Sequence, residues 1–168
     1  GIAGAFEGAL QYAGNPELIA RPHFARYLVE QGICSSVGEA FALYLKEGKP
    51  GYVPQRWAAL PQAVSWITQS GGIAIMAHPA RYDFSPQEEA CLFDAFTQAG
   101  GQGVEVITAS HSAAESQHYA DLALQYGLYA SCGSDFHSPG ESRIDIGSIP
   151  PLPAKLTPVW TALHSRIR

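Results

Sequence analysis

Apolar and polar positions follow two different patterns along the chain, and the pattern changes at about residue 58. Beyond it, short unbroken apolar runs typical of buried strands alternate with segments of helical spacing. We predict strands at 73–77, 103–107 and 128–132, and helices over 61–69, 86–98, 113–126 and from Thr157 to the C-terminus. Ser85 and Ser112 each precede a glutamate by three residues, the pattern of a capping box at a helix start. The alternation predicts an α/β fold with parallel strands joined by helical crossovers.

Residues 1–57 show helical spacing without a convincing strand. We predict helices over 2–13 and 22–32, and a third that starts at the capping box of Ser36 and Glu39. The segment 48–54 holds two glycines and two prolines, so it predicts a loop. The chain is therefore expected to divide into a helical subdomain, 1–57, and an α/β part, 58–168.

Composition narrows the class of protein. With 168 residues, of which 46% are hydrophobic and 15% charged, the chain is long enough for a core and too apolar for a disordered segment. We expect a soluble protein without a membrane anchor, because no apolar run reaches membrane-spanning length and no signal peptide opens the chain. The three cysteines lie far apart without a Cys-x-x-Cys pair, which indicates a reducing compartment and a cytoplasmic location.

The net charge of −5 is unevenly distributed. Residues 21–56 carry five basic side chains against three acidic ones, and the rest of the chain carries five against twelve. A protein that grips nucleic acid over a wide surface is usually basic overall, so we expect no extended nucleic-acid surface. A local basic patch beside an acidic region suits a small phosphorylated ligand or a nucleic-acid end, although a solvated helix face explains any single charge equally well.

Polar side chains follow each predicted strand. They are His78 and Arg81 after the first strand, Ser110 and His111 after the second, and Asp135 and His137 after the third. Because the carboxyl ends of parallel strands meet at one edge of a sheet, these side chains should gather there. Asp135 and His137 are two residues apart, so in an extended or gently turning backbone both point to the same side. A carboxylate oxygen and an imidazole nitrogen suit zinc, manganese or iron, and the sequence predicts a metal site.

Each of these residues also has an ordinary structural explanation. A histidine after a strand is more often a satisfied structural residue than a metal ligand, and His78 stands out only through its neighbours at the same edge. Glu105 lies between two valines of a predicted strand, where a buried carboxylate needs a partner. The sequence supports two roles for Glu105 equally: it would be hydrogen-bonded to a residue of the metal site, or it would belong to an ion pair in the core.

Four motifs of the α/β part resemble the PHP (polymerase and histidinol phosphatase) family of metal-dependent phosphoesterases. They are Ala77-His78-Pro79-x-Arg81-Tyr82, Gly103-Val104-Glu105-Val106, Ser110-His111 and Gly133-Ser134-Asp135-Phe136-His137. Upstream, residues 21–29 and 48–53 resemble the helical insertion of the bacterial subgroup. That subgroup hydrolyses nucleotide phosphates, including 3′,5′-bisphosphates, and includes a 5′-to-3′ exoribonuclease. The resemblance covers nearly the whole chain, with Ala80 where the subgroup usually has glycine.

The resemblance implies a distorted (β/α)7 barrel whose centre holds two or three divalent metal ions in the full-length protein. In this family the first strand carries a His-x-His pair and further ligands precede the helical insertion, and this sequence contains none of these. The chain is therefore expected to be the C-terminal part of a longer enzyme, in which the helical insertion is followed by a partial barrel. Manganese is the expected metal, with zinc or iron as alternatives.

The resemblance also implies roles for individual residues. The metal ligands implied are three residues that follow strands, His78, Asp135 and His137. Four basic side chains are the candidates for substrate phosphate, Arg21, Arg26, Lys49 and Arg81. Glu105 would support the metal ligands, and His111 would hold the substrate or protonate the leaving oxygen. The reaction implied is metal-assisted hydrolysis of a phosphate ester in a nucleotide or at an RNA 5′ end.

A second hypothesis is that the barrel is catalytically degenerate and serves as a binding or structural module, as in some polymerase-associated PHP domains. The sequence of the missing N-terminal part would decide, because histidine pairs and an aspartate there would support the enzyme. For the chain by itself, incomplete coordination predicts little activity and weak metal binding. Uncovered apolar barrel edges favour association with another copy. Metal identity, preferred substrate and oligomeric state do not follow from the sequence.

Overall fold

The structure, a computed structural model, describes residues 2–54, 56–139, 142 and 144–164. The chain forms two compact units, Gly1–Trp57 and Ala58–Arg168. Each unit has its own cluster of buried apolar side chains. None of the helices in the described ranges is long and apolar enough to cross a membrane.

The first unit is built from short helices. Its elements are α1 (Ala5–Leu10), a 3₁₀ turn (Pro16–Leu18), α2 (Arg21–Glu30), α3 (Val37–Ala40) and a π-helical segment (Phe41–Leu45). Gly8 of α1 leaves room for the ring of Tyr27 on α2, since a Cβ at Gly8 would lie 2.1 Å from that ring. The core of the unit is formed by five buried residues, Ala25, Leu28, Cys34, Ala40 and Leu45.

Helices and strands alternate in the second unit. Its elements are α4 (Leu60–Gln69), β1 (Ile75–Met76), a 3₁₀ turn (Pro79–Arg81), α5 (Pro86–Gln98), β2 (Gly103–Thr108), α6 (Ala113–Gln125), β3 (Tyr129–Gly133) and a 3₁₀ helix (Val159–Leu163). The predicted capping boxes at Ser85 and Ser112 are both formed, and each pairs with the glutamate three residues on. Val104 and Val106 of β2 and Phe93 of α5 are fully buried, so the core lies between the sheet and the helices.

The sheet has the order β1-β2-β3 with both pairs parallel, which confirms the predicted parallel α/β arrangement. Met76 pairs with Val104, and Val104 pairs with Ala130. β1 is shorter than the predicted 73–77. Ahead of it, the carbonyl of Ala74 accepts the N–H groups of Gln102 and Gly103 at 3.0 and 3.1 Å, outside a regular ladder. The specific geometry of a partial barrel stays a prediction.

The segment after β3 differs from the helix predicted to start at Thr157. The carbonyl of Thr157 accepts the N–H of Ala130 at 2.9 Å, and Pro158 pairs with Ala130 in a parallel bridge. The chain therefore runs beside β3 before the final 3₁₀ helix begins. Proline suits such an edge position, because it has no N–H to leave unpaired. Residues 165–168 of the predicted helix lie outside the described part of the chain.

A bulge interrupts β2. Glu105 pairs with Ser131 and Ile107 pairs with Cys132, so Val106 is an extra residue without a partner on β3. The carbonyl of Val106 interacts instead with the ring of His111, at 3.0 Å from Nδ1. The bulge thereby ties the middle of β2 to the loop that follows this strand.

Candidate active site

Side chains that follow each of the three strands line one cavity at the carboxyl edge of the sheet. The cavity has a volume of about 390 Å³ and is lined by seven residues, Ala80, Arg81, Ala109, Ser110, Asp135, His137 and Ser142. Arg81 comes from the turn after β1, Ser110 from the loop after β2, and Asp135 from the loop after β3. Parallel topology brings these distant parts of the sequence together, as the pattern of polar residues after the strands predicts.

His78 follows β1 in a strained backbone conformation. Its φ of 33° and ψ of 55° lie in the left-handed region, which residues other than glycine rarely adopt. Its N–H donates to Oε2 of Glu105 at 2.7 Å. Its ring Nδ1 is buried and makes no hydrogen bond within the described residues. Backbone strain and an unpaired buried nitrogen are features that cluster at functional positions.

Glu105 reaches from the middle of β2 toward the ends of both neighbouring strands. Besides accepting the N–H of His78, its carboxylate lies so close to Gly133 that a Cβ there would be 3.2 Å from Oε1. Burial raises the pKa of Glu105, and the N–H and ring of His78 oppose this shift. In the described part of the chain, Glu105 belongs to no ion pair with Lys or Arg. The partner that the structure gives this carboxylate is therefore the backbone of His78.

Asp135 also has a left-handed backbone, with a φ of 50°, so the segment after β3 turns instead of remaining extended. Its Oδ2 accepts a hydrogen bond from Arg81 at 3.0 Å. Its carbonyl lies 2.8 Å from Nδ1 of His137, which assigns the proton to Nδ1 and leaves Nε2 for a ligand. Asp135 and His137 remain neighbours, with 3.9 Å between Oδ1 and Nδ1. The two side chains are therefore close together, on a backbone that turns at Asp135.

Both ring nitrogens of His111 interact with the backbone. Nδ1–H donates to the carbonyl of Val106 at 3.0 Å, and Nε2 accepts the N–H of Ala80 at 3.3 Å. The ring also stacks on Tyr119, with 5.2 Å between the ring centres. His111 thus joins the bulge of β2 to the turn that carries Arg81. Action on a substrate stays a prediction, and it would require His111 to give up its bond to Ala80.

The described residues do not assemble the predicted metal site. Across residues 2–54, 56–139, 142 and 144–164, no group of three or more His, Cys, Asp or Glu side chains is placed to hold one metal ion. The structure therefore does not gather His78, Asp135 and His137 around a single ion, and these residues by themselves do not fit a bound metal. Their assignment as ligands stays a prediction, and it requires ligands beyond those that the described residues supply.

The remaining phosphate candidates lie in the first unit. Arg21 has its guanidinium carbon 5.9 Å from the centre of the Phe41 ring, and it lines a largely apolar cavity of about 540 Å³. Arg26 and Lys49 belong to the same unit, whereas Arg81 belongs to the second. A phosphate site shared by these four residues stays a prediction.

Sequence reasoning missed several residues of the site. Oγ of Ser142 accepts the N–H of His137 at 2.7 Å, but a serine five residues after a histidine is too common to indicate such a contact. Ser110, which the sequence placed at this edge of the sheet, has a buried Oγ without a hydrogen-bond partner in the described part of the chain. Tyr82 and Phe84 form a stacked aromatic pair directly after Arg81. The signal in the sequence that could have revealed this pair was one aromatic residue on each side of Asp83.

The fold and the site together define an α/β protein with a parallel sheet, whose strand ends carry carboxylate, imidazole and guanidinium groups. The predicted resemblance to PHP-family phosphoesterases is confirmed by similarity to curated proteins. No family model matches the chain.

Several curated relatives match nearly the whole chain. A 3′,5′-nucleoside bisphosphate phosphatase of Chromobacterium violaceum is 48% identical over 167 residues, which cover 99% of this chain and 59% of that protein. A 5′-3′ exoribonuclease Rnm of Salmonella typhimurium is 43% identical, over 95% of this chain and 54% of that protein. A solved structure of a Chromobacterium violaceum amidohydrolase, with bound sulfate and no metal, is 48% identical with a TM-score of 0.91. That match covers 100% of this chain and 58% of the solved one.

The chain thus spans between half and two thirds of the length of these relatives, and it corresponds to their C-terminal part. The names of the relatives describe proteins that contain a further part of comparable size. The activity of a whole protein containing this chain is accordingly a proposal.

Proposed function

We propose that this chain is part of a bacterial, cytoplasmic, metal-dependent phosphoesterase that hydrolyses phosphate esters of nucleotides, including 3′,5′-bisphosphates, or of RNA 5′ ends. The observation that carries the proposal is the cavity at the strand ends, where Arg81, Asp135 and His137 meet. Similarity to a nucleoside bisphosphate phosphatase and to an exoribonuclease supports the substrate class.

In this proposal the residues of the chain have separate tasks. Arg81 binds a phosphoryl group, because its guanidinium already faces the cavity and can contact two oxygens at once. His137 presents Nε2, while Asp135 fixes the ring through its carbonyl. Glu105 holds the backbone of His78 in position. Arg21, Arg26 and Lys49 are proposed as further phosphate contacts.

Divalent metal ions belong to the proposal for the whole protein. We propose two or three ions, with manganese expected and zinc or iron as alternatives, and with His78, Asp135 and His137 as this chain's ligands. Because these residues do not form a site by themselves, the other ligands would come from outside the chain.

The experiment uses a longer protein that contains the chain, purified with manganese. Phosphate release is measured from adenosine 3′,5′-bisphosphate and from short RNAs with a 5′ phosphate. We expect turnover that a chelator abolishes and manganese restores. Absence of hydrolysis of every substrate by a protein shown to contain metal would refute the proposal.

A second candidate is a catalytically inactive binding or structural module. It is favoured by one observation, the absence of a group of three potential metal ligands in the described ranges. Titration of the longer protein with manganese separates the two candidates. Binding of two or more ions supports the enzyme, whereas a protein that binds none supports the module.

We also propose that the chain by itself associates with a second copy. β1 stands at the edge of the sheet, and beside it α4 and β1 line an apolar cavity of about 400 Å³. Ile67 and Trp66 of α4 are 42% and 57% exposed, which leaves apolar surface uncovered. Sedimentation over a concentration series should show a dimer that Ile67→Lys weakens. A monomer at all concentrations would contradict this proposal.

A further inference from the structure

Two aromatic side chains next to the site remain exposed. Tyr82 and Phe84 are 53% and 38% exposed, and their rings stack with 5.6 Å between centres and 28° between planes. Large aromatic side chains usually bury most of their surface. A stacked pair that stays open to solvent is the kind of surface that marks a binding site. We call Tyr82 and Phe84 the aromatic platform.

The platform is fixed by the same turn that positions Arg81. The N–H of Arg81 donates to the carbonyl of His78 at 3.0 Å, and the N–H of Tyr82 donates to the carbonyl of Pro79 at 3.1 Å. The N–H of Phe84 donates to the carbonyl of Tyr82 at 3.0 Å. The centre of the Tyr82 ring lies 6.1 Å from that of His78. The aromatic rings and the guanidinium are therefore presented by one hydrogen-bonded segment.

Two cavities meet at this segment. Ala80 lines both the cavity of Arg81 and Asp135, about 390 Å³, and a second cavity of about 380 Å³ that is lined by the aromatic platform. Their volumes lie in the range of small-molecule sites. A ligand that extends across Ala80 would have one end near a guanidinium and the other against aromatic rings.

Charge distinguishes the two ends. The second cavity is lined by the carboxylates of Asp83, Glu89 and Glu115, which would repel a phosphate group. Glu89 accepts a hydrogen bond from Tyr119 at 2.8 Å and pairs with Nε2 of His118 at 2.7 Å, so this wall is ordered. Asp83 and Glu115 form no such pair in the described residues. Carboxylates can accept hydrogen bonds from sugar hydroxyls and from the amino groups of bases. The second cavity therefore suits the uncharged part of a nucleotide.

We propose that the aromatic platform and the second cavity bind the nucleoside part of a nucleotide whose phosphate contacts Arg81. This inference rests on the proposed phosphoesterase function and extends it to the recognition of the substrate. Stacking on an aromatic ring is available to every base, so the platform would favour nucleotides over other phosphate esters without selecting one base.

The test compares ligands with and without a base on the 168-residue chain. It is made at a concentration where sedimentation shows a monomer, because Tyr82 and Phe84 also line the apolar cavity assigned to self-association. Adenosine 5′-monophosphate and ribose 5-phosphate, which carry one phosphate each, are titrated, and saturation transfer from protein to ligand protons is measured by NMR. We expect the base protons to receive the strongest transfer and the nucleotide to bind about fivefold or more tightly than ribose 5-phosphate. Tyr82→Ala should remove this advantage, whereas Tyr82→Phe should keep it.

The control is Trp160→Ala, which removes an aromatic side chain of similar exposure, 43%, that lines neither cavity. It should leave nucleotide binding unchanged. The amide spectrum of α6 shows whether each variant is folded.

Equal affinity for the nucleotide and for ribose 5-phosphate in the folded wild-type chain would overturn the inference, and so would binding of neither. Phosphate release by the longer protein is measured separately, so failure of the platform is distinguishable from failure of the proposed function. Radical footprinting of the longer protein tests the other occupant, a segment of protein. Protection of Tyr82 and Phe84 in the absence of nucleotide would also overturn the inference.

Discussion

Replacing Glu105 by alanine removes the acceptor for the main-chain N–H of His78. The N–H donates to the carboxylate at 2.7 Å, in a turn where His78 has a φ of 33°. The strained conformation is supported by this hydrogen bond from a different strand. We therefore expect Glu105→Ala to loosen the turn at His78 without unfolding the sheet.

The size of the effect follows from the kind of hydrogen bond. A hydrogen bond to a charged acceptor contributes about 1.5–3 kcal/mol, and one between neutral groups about 0.5–1.5 kcal/mol. Glu105→Ala should lower the local opening free energy at His78 by about 2 kcal/mol, which is a rise of roughly 30-fold in amide exchange. Glu105→Gln keeps a carbonyl oxygen as acceptor, so its loss should be about 1 kcal/mol, or roughly fivefold.

Stability should also depend on pH through this carboxyl group. Burial raises the pKa of Glu105 above its value in the unfolded chain, so the native state binds this proton more readily. Stability contributed by this group therefore falls as pH rises from the ordinary carboxyl pKa through the raised one. Glu105→Gln lacks this dependence. The difference between wild type and variant isolates it, because the other carboxyl groups are common to both.

The assay is amide hydrogen exchange of the 168-residue chain by NMR, with a chelator present. His78 is the probe, and the amides of α6 report global stability. If exchange at His78 is the same in Glu105→Ala as in wild type, the carboxylate does not hold the turn. A rise of the same size at His78 and throughout α6 would show global destabilisation and would also refute the reasoning.

Two further predictions concern packing and the site. Gly8→Ala places a Cβ 2.1 Å from the ring of Tyr27 and should destabilise the first unit by about 1–3 kcal/mol in urea unfolding. Gly14→Ala is the matched control, because nothing lies within 4 Å of a Cβ there, and equal effects would contradict the packing argument. In the longer protein, Asp135→Ala should reduce phosphate release by more than tenfold. Asp121→Ala removes an exposed carboxylate of α6 that pairs with Lys155, and it should leave phosphate release nearly unchanged. Equal losses of phosphate release in the two variants would reject the assignment of Asp135.

Sequence periodicity predicted the alternation of helices and strands between α4 and β3 of the second unit. The capping boxes at Ser85 and Ser112 start helices where predicted. Each forms by reciprocal hydrogen bonds between the side chains and backbone N–H groups of two residues only three positions apart, so a local pattern is enough to predict it. Parallel pairing followed from the alternation of strands and helices. It also brought Arg81, Asp135 and His137 to one cavity, although they are up to 56 residues apart in the sequence.

Details that depend on contacts between distant residues could not be predicted. β1 is only two residues long, although the apolar run suggested five. The left-handed conformations of His78 and Asp135 are imposed by the surrounding structure, since neither is glycine. The ring nitrogens of His111 form hydrogen bonds with the backbone of Val106 and Ala80, and no local sequence pattern predicts these two contacts.

Because of the bulge at Val106, the number of residues in β2 cannot change without changing which side of the sheet its later side chains face. Successive side chains of a strand point to opposite sides of a sheet, so one extra residue reverses the assignment of every position after it. Glu105 lies before this reversal and Thr108 after it. Deleting Val106 would therefore turn the side chains at the end of β2 to the opposite side of the sheet. It would also move the loop of Ser110 relative to the neighbouring strand ends. Substitution at Val106 by another β-branched residue preserves this phase, whereas insertions and deletions within 103–108 do not.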